Sequence, residues 1–165
     1  MELLIIILLV LINGVFSMSE MALVSSKKYK LEKASKRGNK KARKALELSE
    51  HPTRFLSTVQ IGITLIGILL GVYSGENLTN DFISILERST LLKPYSQELA
   101  TGIIVVLITF FSIVFGELVP KRIGMAFPEK IITFMAAPMQ VLALFTGPFV
   151  WLLTASNNLI VRALG

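Results

Sequence analysis

The chain has 165 residues, 53% of them hydrophobic and only 17% charged, with a mean hydropathy of +0.67. Soluble domains carry charge on about a quarter of their residues, so this composition points to a single all-α integral-membrane domain. The net charge of +6 does not argue for nucleic acid as a partner, because ten of the seventeen Lys and Arg fall between Lys27 and Lys44. Clustering of that kind is a membrane-topology signal. The absence of cysteine and the single histidine, His51, exclude thiolate, zinc-cluster and haem chemistry. No Ser–His–acid set or phosphate-binding glycine loop points to an enzyme.

Residues 1–26 read as a first transmembrane helix: 3–12 are LLIIILLVLI, and after Glu2 the next charge is Glu20. About 20 such residues cross a bilayer. Its acidic start and lack of a small-residue cleavage site argue against a removed signal peptide. Residues 27–52 form a basic juxtamembrane helical segment, cytoplasmic by the positive-inside rule, which sets the amino terminus outside and suits contact with anionic headgroups. Pro52 ends this segment and Thr53 is placed to cap the next helix. A second span is expected over 53–75, an external loop with a short amphipathic helix over 76–97, and a third span over 98–124. Residues 127–165 are apolar but interrupted by Pro138 and Gly147-Pro148. They read either as a fourth span or as an in-plane helix followed by an exit segment.

The informative residues are the polar ones inside these helices. On the second span Ser57, Gln60, Thr64, Gly67, Gly71 and Ser74 share one face, fit for close helix packing or for a ligand. On the first, Asn13, Ser17 and Glu20 share a face while Ser19 points elsewhere. Glu20 also suits the cytoplasmic interface, and the Ser17 hydroxyl is able to bond back to a helix carbonyl. The third span ends in FGELVPKR. Pro120 has no N–H, which leaves the Gly116 carbonyl without its helical donor, next to Glu117 and one turn below Ser112. A carbonyl and a carboxylate are the hard oxygen ligands that Mg²⁺ or Ca²⁺ prefers. The competing reading is a Glu117–Lys121 pair four residues apart.

Together the segments NGVFSMSEMAL, TVQIGITLIGILLG and FGELVPKRIG, in that order and separated by a basic stretch, resemble the transmembrane domain of the CNNM/CorC magnesium transporters, in the bacterial branch often described as hemolysin-like. The resemblance implies a homodimer in the cell membrane. Each protomer would carry three transmembrane helices, cytoplasmic juxtamembrane helices and a belt-like in-plane helix. It implies Na⁺-coupled Mg²⁺ export, with a dehydrated Mg²⁺ between the helices. The implied ligands are Ser17, Ser19 or Glu20, the turn around Gln60 and Thr64, and Gly116 with Glu117, with Asn13, Gly67, Ser112, Pro120 and Lys121 in support. Many members have asparagine where this chain has Ile63 or Gly67, so fewer donors are available here. The family's nucleotide-binding CBS-pair domain, a cytoplasmic partner of this domain, is expected beyond Gly165. The alternative is a dimerising membrane anchor for such cytoplasmic domains, without transport of its own.

Overall fold

A computed structural model describes residues 2–74, 77–87 and 93–164. Much of the external loop expected over 76–97 lies outside the described residues. Within them every regular element is helical. The order is α1 (Glu2–Ser25), α2 (Lys28–Lys36), α3 (Lys40–Glu50), α4 (Pro52–Ser74), α5 (Asn77–Leu86), a single 3₁₀ turn (Lys93–Tyr95), α6 (Ser96–Ile113), a π turn (Val114–Leu118), α7 (Val119–Ala126) and α8 (Pro128–Leu164). Pro52 is the first residue of α4, where a missing N–H costs nothing, so that helix starts before the expected Thr53 cap.

Four stretches are long and apolar enough to cross a membrane by length and composition: Leu3–Ser25, Pro52–Tyr73, Lys93–Ala126 and Pro128–Arg162. The sequence leaves 127–165 as either a fourth span or an in-plane helix divided from an exit segment at the prolines, and the resemblance implies three spans with a belt. Instead α8 is one helix with Pro138 and Pro148 inside it. Each proline removes one backbone bond, from the carbonyls of Phe134 and Leu144, and a helix in apolar surroundings survives such losses. Its 37 residues run about 55 Å at 1.5 Å each, well beyond the roughly 30 Å of hydrocarbon in a bilayer. It is too long for one upright crossing.

The chain packs as two units, Met1–Ser17 with Ile63–Pro120, and Met18–Gly62 with Lys121–Gly165. In the first, Ile6, Val10, Ile66 and Leu70 form a buried apolar cluster with Leu9 and Phe16 against it. Leu4, Leu65, Val106 and Phe110 are exposed, the arrangement expected where lipid is the solvent. Here α5 packs on α6.

In the second unit α3 packs on both α2 and α8, burying Leu31, Ala42, Ala45, Ile132 and Ala136. Asn39 organises the α2–α3 corner. Gly38 adopts φ +86°, a left-handed conformation that costs glycine little. The Asn39 N–H then returns to Ala34 O at 3.2 Å to close α2. The Asn39 side-chain Oδ1 accepts from the N–H groups of Lys41 (3.0 Å) and Ala42 (3.1 Å) to open α3. Lys30 Nζ lies 3.1 Å from Glu129 Oε1 and ties α2 to the start of α8. Further along α8, Arg54 Nη2 donates to Ala143 O at 3.4 Å, and Thr146 Oγ1 lies 3.2 Å from Thr58 Oγ1.

Candidate cation site

In the first unit the site is built on a flaw in a helix. The α6–α7 stretch contains a π turn, closed by the Val119 N–H reaching back to Val114 O. An inserted residue of this kind, next to Pro120 with no N–H, breaks the regular ladder at membrane depth. The sequence reading left the Gly116 carbonyl bare. The structure instead has Asn13 Nδ2 donating to Gly116 O at 3.1 Å, in a buried position. A carbonyl has two lone pairs, so Asn13 engages one of the two acceptor positions on Gly116.

This bond needs backbones at close range, and glycine supplies the room. A Cβ on Gly14 would come within 2.9 Å of Pro120 Cγ and 3.0 Å of Phe115 O, and one on Gly116 within 3.2 Å of Asn13 Nδ2. No larger residue fits Gly14 without movement of the π turn or of Pro120.

Two polar atoms are left over. Asn13 is 9% and Ser17 1% exposed, and among the described residues neither Asn13 Oδ1 nor Ser17 Oγ has a hydrogen-bond partner. An orphaned buried acceptor costs about 1–3 kcal/mol, so two on consecutive turns of one helix face call for an explanation. Other hydroxyls in the chain look after themselves. Thr58, Thr101, Thr146, Thr154 and Ser156 each donate to the carbonyl four residues back. Ser17 does not, which removes the back-bonding reading of that residue.

The remaining sequence-derived candidates of this unit are distributed differently. Glu117 is partly buried on the π turn, whereas Thr64 and Gly67 are exposed on α4. Gly67 and Ser112 line a second feature, a groove of about 350 Å³ shared with Gly71, Thr79, Thr101 and Thr109. The sequence reading missed Thr79 and Thr101. The signal for Thr101 was present: it precedes Thr109 by eight and Ser112 by eleven residues, spacings that fall on one helix face.

In the second unit Ser19 is fully buried, Glu20 and Lys121 are partly buried, and Gln60 is exposed. Gly124, also unanticipated, is the contact point of this unit's helices, since a Cβ there would lie 2.5 Å from Met18 O and 3.1 Å from Met21 Cβ. Among the described residues no three His, Cys, Asp or Glu side chains cluster as a metal cage. A cation bound to the Asn13–Ser17 face would therefore be held mainly by neutral oxygens.

Comparison with known proteins decides the family, since residues 4–165 match the cyclin M transmembrane amino-terminal domain. The chain belongs to the CNNM transmembrane-domain family. It is 46% identical over 165 residues to a UPF0053 protein of Synechocystis, covering 100% of this chain and 37% of that protein. It is 33% identical over 160 residues to the UPF0053 inner membrane protein YfjD of Escherichia coli K12, covering 93% of this chain and 33% of the relative. A polyamine export protein of the same organism is 33% identical over 161 residues, covering 98% of this chain and 36% of that protein. The chain thus spans about a third of the length of these relatives. It is a membrane protein of a family that includes exporters.

Proposed function

We propose that this domain exports a divalent metal cation, Mg²⁺, in exchange for Na⁺, as a homodimer in the cell membrane. The observation that carries the reading is Ser17, a serine oxygen buried in an apolar helix with no partner among the described residues, in the unit that also holds the carboxylate of Glu117 on a π turn. Hard oxygens of this kind suit a dehydrated Mg²⁺. Glu117 supplies charge, Ser17 and Gly116 supply neutral oxygens, and Pro120 keeps the local ladder broken. Ser19, Glu20, Gln60 and Thr64 are kept as further candidate ligands on the family resemblance alone. The homodimer is supported by the open face of α4, where a Cβ on Gly67 or Gly71 would meet nothing within 4 Å. Basic α2 and α3 face the cytoplasm and its anionic lipid. Three crossings, with α8 along the membrane as the belt, agree with the length of α8. The CBS domains would follow Gly165.

A second reading, polyamine export, is favoured by the name of the Escherichia coli relative. Vesicles reconstituted with the full-length protein and loaded with Mg²⁺ or with putrescine separate the two. The expected result is Mg²⁺ release driven by an opposing Na⁺ gradient and lost in Ser17→Ala and Glu117→Gln. Putrescine release alone would move the assignment to polyamines. No release of either would leave the domain as a dimerising membrane anchor.

A further inference from the structure

We infer that Asn13 is itself a cation ligand, its Oδ1 and the Ser17 Oγ forming a pair of oxygens that receives the metal ion. The inference rests on the Mg²⁺ reading above but names a residue and a geometry which that reading does not require.

The argument starts from the two ends of one amide. Asn13 Nδ2 is committed to Gly116 O at 3.1 Å, and that bond fixes which way the side chain faces. Its Oδ1 is thereby presented, buried and without a partner among the described residues. An amide oxygen only accepts, so it is satisfied by a donor or by a cation and by nothing else. Ser17 lies one turn further along the same face, with its hydroxyl equally buried and equally unpartnered. It forgoes the back-bond that Thr58, Thr101 and Thr146 all make. Two acceptors held ready on consecutive turns are a preorganised site for a small hard ion. The Gly116 carbonyl, engaged by Asn13, has a bracing role. Asn13 therefore both holds the π turn and offers an oxygen that Ile63 and Gly67 cannot.

The competing account is a buried water bridging the two oxygens, with Asn13 serving only as a brace. Replacing a hard oxygen by a soft thiolate tells the two apart, because ligation changes the metal preference and bracing does not. Full-length Asn13→Cys and Ser17→Cys proteins are titrated with MgCl₂ and CdCl₂ by calorimetry, beside Thr154→Cys as a control away from the site. The expected result is a loss of about tenfold or more in Mg²⁺ affinity and a comparable gain for Cd²⁺ in both variants, with Thr154→Cys unchanged. If Asn13→Cys does not fold, Asn13→Asp and Asn13→Leu replace it. Retained Mg²⁺ binding in the first and loss in the second supports ligation, and equal loss overturns it. Cd²⁺ gain in Ser17→Cys alone makes Asn13 a brace and overturns the inference while the Mg²⁺ reading stands. A wild type that binds putrescine and no Mg²⁺ overturns both.

Discussion

The first and second apolar helices carry polar stripes that look alike in sequence and meet opposite fates. Asn13 and Ser17 of the α1 stripe are buried and Glu20 is partly buried, while Gln60, Thr64, Gly67 and Gly71 of α4 are exposed. Periodicity determines which residues share a face, since that depends only on 3.6 residues per turn. What the face meets depends on residues elsewhere in the chain. For Asn13 the decisive ones are Gly14, Gly116 and Pro120, which bring two backbones to within a side chain of each other. The α4 stripe meets looser surroundings: Gly67 and Gly71 line a groove with Thr79, Thr101 and Ser112 rather than a close backbone contact.

The sharpest way to break this contrast is through the glycines. Gly124→Ala must displace backbone at Met18 O, and we expect the top of the overpacking range, about 3 kcal/mol, read as loss of folded protein in a thermal melt. Gly14→Ala should follow at about 1–3 kcal/mol, because Pro120 Cγ at 2.9 Å is part of a ring that cannot rotate away. Gly67→Leu starts from a Cβ that would meet nothing within 4 Å among the described residues and extends beside a groove with room of about 350 Å³. It should leave the melt of the protomer unchanged and convert dimer to monomer in light scattering; a dimer that persists would place the interface elsewhere. Breaking the Lys30–Glu129 pair with Lys30→Ala should cost only about 0.2–1 kcal/mol, since both side chains keep contact with solvent.

The smallest effect is expected at Glu32. A hydrogen bond from Lys36 and its charge hold the Glu32 carboxyl below its ordinary pKa. A lowered folded pKa stabilises the fold above the unfolded value and ceases to do so as pH falls through the folded one. The pair is fully exposed, so Glu32→Gln should leave the melting temperature unchanged at neutral pH.

The helical class, the basic corner and the special character of FGELVP were legible because each depends on local chemistry: apolar run length, charge clustering and a proline without an N–H. The partner of the Gly116 carbonyl was not, because Asn13 and Gly116 are 103 residues apart and only tertiary packing joins them. Gly124 was overlooked for a related reason, since a glycine reads as a weakness in its own helix until the opposing backbone is known. The continuity of α8 through Pro138 and Pro148 shows the limit of local rules in the other direction. A proline forbids one bond, and a long apolar helix can do without it.

That continuity has a mechanical consequence. Arg54 grips the α8 backbone at Ala143, next to Leu144, whose carbonyl Pro148 leaves without a helical donor, and residues 151–162 beyond it are all exposed. The helix past Gly147 is therefore a lever about 25 Å long on a fulcrum held by α4. A tilt of about 10° at that fulcrum would carry its far end roughly 4 Å, so a small adjustment at the start of α4 would be felt, enlarged, by whatever residues 151–162 touch.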